Sequence, residues 1–323
     1  MKKNKKTKIL ITGGAGFIGY HLAKNLSKNC SVDLIDNLSR GKVDKDFKKL
    51  IKENNVRLLN IDLNNKIKIK SKNYNYIFHL AATIGVDTVI KNPFKVLNNN
   101  YLSTLNIIKF AKEQKNLKKL FFTSTSEIYS GSFKHKLINF PTKENSILSL
   151  NNMNSARGTY MLSKIYCEAL CHFSNIPFII LRPHNIFGER MGMSHVIPEL
   201  IKKIHKSKKN LELNNSNHKR SFCYIEDAVN MMILLMKNSK AVNKTYNLGD
   251  PSNEISILNL AKKLIKFSKS NKKIKKINHE NFSVQRRLPD IKNILKDTRF
   301  KRKYNFEKNL RKTYDWYEKN LFI

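Results

Sequence analysis

The chain has 323 residues, 41% of them hydrophobic, which is enough to bury a substantial core and fits a globular protein better than a disordered one. Lys and Arg number 62 against 24 Asp and Glu, a net charge of +38, yet the excess is mostly lysine dispersed on helical faces such as "IKKIHKSKKN". The Arg- and aromatic-bearing motifs of nucleic-acid readers are missing, so no nucleic-acid partner is expected.

No apolar run reaches the roughly 18 residues that a membrane span needs. The basic start "MKKNKKTKILITGG" leads straight into a strand-like run without a signal core, so a cytoplasmic protein with no membrane partner is expected. "KILITGG" (8–14) predicts a strand, and "GFIGYHLAKNLSKN" carries Phe17, Leu22 and Leu26 at helical spacing. Between them "GGAGFIG" sets Gly13, Gly16, Phe17, Ile18 and Gly19 at a strand–helix junction. Glycine there permits a tight turn and lets a pyrophosphate approach the amides at a helix N-terminus. The strand "SVDLIDN" (31–37) then ends in Asp36 and Asn37. A carboxylate at that point accepts hydrogen bonds from an adenosine ribose and repels a 2′-phosphate, which favours NAD over NADP, with Arg40 near enough to soften the preference.

Further apolar runs at 56–63, 76–82, 119–126 and 177–183 read as buried parallel strands, separated by helical stretches such as 93–115. This alternation predicts an α/β fold, a doubly wound parallel sheet covered on both faces. After residue 183 the rhythm loosens into a smaller lobe. The expected division is a first lobe at 1–182, with an apolar helix at 223–240 packing back on it, and a second lobe made of 183–222 and 241–323. Cys30, Cys167, Cys171 and Cys223 form no CxxC pair and no zinc spacing, so no metal is expected.

Two stretches carry reactive groups. "TSEIY" follows the strand-like "KKLFF" and holds Thr125, Ser126 and Glu127 in a row. "YMLSK" puts Tyr160 and Lys164 four apart on a helical run, hence on one face. A free tyrosine titrates near 10, too high for a base at neutral pH, and each unit of lowering costs about 1.4 kcal/mol. A neighbouring ammonium and a cationic cofactor ring supply that kind of stabilisation.

With "DNLSRGK", "HLAA", "NYLSTLN", "RPHNIFG", "RSFCYIEDA", "NLGD" and "RRLPDI" added in order, the chain resembles the extended short-chain dehydrogenase/reductase family. It is similar to the NAD-dependent epimerase/dehydratase group acting on nucleotide sugars. The resemblance implies a Rossmann-type first lobe, a nucleotide-sugar-binding second lobe and a homodimer. It implies that Tyr160 is the base at the sugar hydroxyl, that Lys164 holds the nicotinamide ribose and lowers the tyrosine pKa, and that Thr125 bonds the reacting oxygen. Asp62 and Leu63 would flank the adenine, Ala81 would line the dinucleotide groove, and Asn185, Arg220 and Arg287 would grip the nucleotide diphosphate.

A carboxylate at Glu127 resembles the dehydratase and decarboxylase members, which manage a further proton once a 4-keto sugar has formed. Ser126, expected to touch substrate, stands where glucose-type dehydratases more often have Asp. "ARGTYMLSK" and "QRRLPDI" resemble the UDP-glucuronate decarboxylases, and Arg157 either faces a sugar carboxylate or sits in solvent at a helix start. Two departures stand out: His184 replaces a usual aromatic, and "LNNSNHKRSF" lacks the glycines common before Arg220. The expected protein is thus an NAD enzyme working through a 4-keto sugar. The alternatives are a plain 4-epimerase and an inactive NAD-binding regulatory or scaffold protein.

Overall fold

Short runs rich in β-branched and aromatic residues form six strands: β1 (Lys8–Thr12), β2 (Ser31–Asp36), β3 (Val56–Asn60), β4 (Tyr76–His79), β5 (Lys119–Thr123) and β6 (Phe178–Pro183). In the computed structural model, which describes residues 6–150, 152, 154–207, 209–277 and 284–322, a seventh strand, Lys244–Leu248, completes the sheet. The order runs from that strand through β6, β5, β4, β1 and β2 to β3, with every pair parallel. Strand order reverses beside β1, so the crevice outside the strand C-termini opens at the glycine-rich turn.

Several strands are shorter than their apolar runs, each for a local reason. β1 stops at Thr12 because Gly13 turns to a φ of +69°. β5 stops at Thr123 because Ser126–Tyr129 curls into a 3₁₀ turn, whose cap is the Thr125 hydroxyl accepting from the Glu127 amide at 3.2 Å. The run 93–115 forms a helix over Pro93–Lys112, with proline at its start where the missing N–H has no helical partner anyway.

The apolar helix expected at 223–240 spans Ile225–Lys237 and packs on Phe17–Leu26. The boundary drawn at 241 needs correction. Lys244–Leu248, assigned from sequence to the second lobe, pairs with β6 inside the main sheet, where Tyr246, Asn247 and Leu248 are buried at the open edge. One apolar cluster holds Ile9 and Leu34 of the sheet together with Ile197, Leu200 and Leu310 from the later segments.

Beyond the sheet, Asn210–Asn214 pairs with Lys273–Ile277, and a three-stranded ribbon joins Glu254–Ser256, Lys219–Ser221 and Arg286–Arg287. Where glycines were missed before Arg220, Asn215 takes the left-handed turn at φ +53°, a conformation Asn tolerates. No described helix is long and apolar enough to cross a membrane.

Candidate active site

The turn after β1 is built for close approach. A Cβ on Gly13 would lie 2.9 Å from the Ala81 amide nitrogen, and one on Gly19 would overlap the Gly13 carbonyl oxygen. Gly16 caps the helix Phe17–Leu26 without a side-chain hydrogen bond, and no acidic residue stands in its first turn. The exposed amides and the helix dipole thus remain available to an anion. Phe17 and Ile18 are half-buried and pack on the core behind this turn.

Asp36 closes the same edge. Its carboxylate accepts from the Ala15 amide at 3.0 Å and from the Leu38 amide at 2.8 Å, which fixes its orientation and leaves lone pairs for a diol. Asn37 is exposed, with Oδ1 accepting from the Ser39 amide and hydroxyl. Asp62 is exposed just past β3, Leu63 beside it is buried, and the Ala81 amide donates to Thr12 Oγ1 at 3.2 Å. This cradle fits a dinucleotide: Gly13, Gly16 and Gly19 lie close together with Ala81 behind Gly13, and Asp36 is tied to the same turn through the Ala15 amide.

Just past the end of β5 the Thr125 hydroxyl, which caps the 3₁₀ turn, faces the Tyr160 phenol and favours its ionised form. Tyr160 and Lys164 lie on one helix, Ala156–His172, tied to its neighbour by Asn100, whose Nδ2 donates to Ser163 Oγ at 3.1 Å. Burial raises the phenol above its usual range and the Glu127 charge adds to this, while the Thr125 hydrogen bond and Arg40 pull the other way. Lys164 was expected to supply that pull. Instead its ammonium turns to the sheet, donating to the Thr123 carbonyl at 2.8 Å and sitting 4.9 Å from the Phe122 ring, and burial lowers it to about 8. Arg40, considered from sequence only for cofactor preference, is the cation acting on Tyr160.

Glu127 stands at the centre of an arginine cluster. Arg287 Nη2 lies 2.6 Å from its Oε1. Burial pushes this carboxyl up, but Arg287, Arg157 and Arg220 together hold it below the usual carboxylate range. The ribbon explains the convergence, since its register pairs Arg287 with Arg220. Burial and repulsion by Arg287 bring Arg220 down to about 9, against the attraction of Glu127. Arg287, Arg157 and Arg220 all act on this one carboxylate, and guanidinium groups so placed suit an anionic ligand.

Arg157 lies exposed in the first turn of its helix, as one of the two expectations had it, and its charge acts on Glu127. Ser126 is 5% exposed. Asn185 holds φ +41° and donates from Nδ2 to the Ser221 carbonyl at 3.1 Å, beside Arg220. Arg287, expected at the diphosphate, is the partner of Glu127.

Sequence reasoning gave no role to Asn247 or Glu144, although a buried Asn inside the apolar "TYNLG" strand was a signal. His184 is 1% exposed and its ring Nε2 meets Asn247 Oδ1 at 3.1 Å, so it is a packed, hydrogen-bonded histidine.

A family model described as NAD dependent epimerase/dehydratase family matches residues 9–249. The chain belongs to the NAD dependent epimerase/dehydratase family. Like that family it is an NAD-dependent enzyme with a Rossmann-type sheet. It is 29% identical over 327 residues to the UDP-N-acetyl-alpha-D-glucosaminuronate decarboxylase of Bacillus cytotoxicus, covering 97% of this chain and 98% of that one. It is 32% identical over 277 residues to the dTDP-D-glucose 4,6-dehydratase of Dictyostelium discoideum, covering 81% and 62%. Among solved structures, a UDP-N-acetylglucosamine 4-epimerase from Methanobrevibacter ruminantium in complex with UDP-N-acetylmuramic acid superposes with a TM-score of 0.84 at 25% identity, covering 98% and 100%.

For this epimerase/dehydratase family member, NAD should bind at least tenfold more tightly than NADP, because the fixed Asp36 carboxylate repels a 2′-phosphate. Asp36→Ala should narrow the gap, as read by fluorescence titration of both cofactors. Equal affinities in the parent would assign the ribose edge to Arg40 instead.

Proposed function

We propose that the protein is an NAD-dependent decarboxylase of a nucleotide-linked uronic acid, working through a 4-keto sugar. The observation that carries this reading is the arginine cluster around Glu127, with Arg287 at 2.6 Å and Arg157 and Arg220 acting on the same carboxylate. A sugar with a hydroxymethyl group has no use for so much charge beyond its diphosphate. A uronate supplies a second anion, and guanidinium groups bind carboxylates bidentately. The full-length likeness to a uronate decarboxylase supports the same class.

Bound NAD would be held by the Gly13–Gly19 turn, Asp36, Asp62 and Ala81, and it supplies the hydride acceptor for carbon 4. Tyr160 takes the proton from the 4-hydroxyl, and the Thr125 hydroxyl, which favours the ionised phenol, keeps that oxygen in line. The resulting ketone lies β to the C6 carboxylate. The C5–C6 bond can therefore break with its electron pair passing to C5 and the C4 oxygen, releasing CO₂. Thr125 and Tyr160 stabilise the charge arriving on that oxygen. Arg287 and Arg157 hold the carboxylate until it leaves, and Glu127, kept ionised, fixes Arg287. C5 takes up a proton from solvent where the carboxylate has left. The C4 ketone regains the hydride lost in the first step while Tyr160 gives its proton back to the C4 oxygen, so that the net loss is one CO₂.

Dehydration is the weaker reading, since Ser126 offers no carboxyl group for the departing hydroxyl. The test is incubation with UDP-, GDP- and dTDP-linked uronic acids and neutral sugars, followed by mass spectrometry. Loss of 44 mass units, about one CO₂, is the expected result with a uronate. Loss of water, or an isomer of unchanged mass, would overturn it.

We also propose a homodimer. Ile90, Phe94 and Tyr166 are 53%, 81% and 51% exposed on three adjoining helices, Val86–Lys91, Pro93–Lys112 and Ala156–His172. A second copy would cover this apolar face. Phe94→Asp should shift the sedimentation equilibrium to monomer, and an unchanged mass would exclude this face as the contact.

A further inference from the structure

The oxidising pair and the arginine cluster stand on different elements, and one buried side chain is bonded to the supports of both. Asn247, 0% exposed at the sheet edge, uses its whole amide. Oδ1 accepts from the Tyr129 hydroxyl at 3.0 Å and from His184 Nε2 at 3.1 Å. Nδ2 donates to the Thr142 carbonyl at 2.9 Å and to the Asp290 carbonyl at 3.1 Å. The amide orientation follows from these partners: two carbonyls demand the nitrogen, and a phenol donor demands the oxygen. His184 must then carry its proton on Nε2.

Each partner leads to the site. Tyr129 closes the 3₁₀ turn that holds Glu127, and its oxygen accepts from Arg182 Nη1 at 2.7 Å. Arg182 in turn makes a two-point ion pair with Glu168, at 3.0 and 2.6 Å, on the helix that carries Tyr160 and Lys164. On the other side, Asp290 stands three residues beyond Arg287, and Thr142 clamps this segment by bonds to Leu288 and Asp290 of 2.8 Å each. The backbone N–H of Asn247 donates to Glu144 Oε1 at 3.0 Å, and Asn293 Nδ2 donates to Glu144 Oε2 at 2.8 Å.

We infer that Asn247 is a positioning residue, which sets where Arg287 stands relative to Glu127 and to the Thr125–Tyr160 pair. Arg287 comes from a two-residue strand, Arg286–Arg287, too short to hold its own register. The neighbouring chain is instead pinned through the Asn247 amide to Tyr129, two residues from Glu127. This inference rests on the decarboxylase reading only for the step at which misplacement is felt. A displacement near 1 Å in such a site costs about 10²-fold in rate.

The test uses the full-length enzyme with NAD and Asn247→Asp, which keeps the side-chain shape but cannot donate to the two carbonyls. With Arg287 displaced, Glu127 loses the charge that holds it low while burial continues to push it up, so its titration midpoint should rise. That midpoint is read on the Glu127 carboxyl carbon by NMR, assigned with Glu127→Gln. Product formation should fall about 10- to 100-fold, while NADH absorbance on mixing with substrate develops as in the parent.

An unmoved midpoint overturns the inference, whether activity is retained or falls together with melting temperature. If Asn247→Asp does not fold, Tyr129→Phe, which deletes one donor to Oδ1, is measured in the same way and judged by the same midpoint. A parent enzyme that releases no CO₂ removes the decarboxylase reading, and the midpoint still decides the role of Asn247.

Discussion

Tyr160→Phe should lower turnover by about 10²–10⁴-fold, the usual worth of a positioned acid–base group, while NAD still binds. The phenol lies under the influence of Thr125, Glu127 and Arg40. Without its ligands the site makes this tyrosine a poor acid, since burial and Glu127 outweigh the two opposing contributions. The reactive state therefore belongs to the loaded enzyme, where a cationic ring adds its charge beside the phenol. The dinucleotide cradle at Gly13, Gly19 and Asp36 does not involve the oxygen that phenylalanine lacks. Affinity for NAD should thus match the parent in a fluorescence titration, while NADH absorbance on adding substrate disappears. Turnover within a few-fold of the parent would take Tyr160 out of the mechanism.

Glu127→Gln should separate the two halves of the reaction. Glutamine keeps the length of the side chain and its contact with Arg287, but removes the charge now shared with Arg287, Arg157 and Arg220. Bound NADH should form at least as readily as in the parent, because the Glu127 charge that raises the Tyr160 phenol is gone. Product should fall about 10²-fold. The Michaelis constant for a uronate should fall as well, since the arginines lose a competing carboxylate and bind the substrate anion more tightly. Rapid-mixing absorbance, CO₂ release and steady-state kinetics read these three quantities. A variant as active as the parent would show that the charge of Glu127 is not needed to hold Arg287, and the enzyme would then be better described as a plain 4-epimerase.

The site was legible in sequence wherever its chemistry is local. The glycine turn, the strand-end Asp36, the cap at Thr125 and the Tyr160–Lys164 spacing are each contained within a few consecutive residues. The direction of Lys164 was not, because a lysine on the expected helix face can reach either the phenol or the sheet, and here the Thr123 carbonyl at 2.8 Å takes it. Asn247 was quoted within a motif and given no task, since its four amide contacts involve Tyr129, Thr142, His184 and Asp290, residues remote from it in the chain.

The sequence by itself determined the α/β alternation, the dinucleotide turn and the set of reactive residues, because hydrophobic period and glycine placement act over short distances. Tertiary structure decided which groups meet. The ribbon pairing Arg286–Arg287 with Lys219–Ser221 brings Arg287 to Arg220 and both toward Glu127, across 160 residues in the case of Arg287 and Glu127. The return of Lys244–Leu248 to the main sheet was decided in the same way, by an open strand edge next to β6. Strand pairing depends on partners distant in the chain, and a two- to five-residue segment carries too little pattern to name its own neighbour.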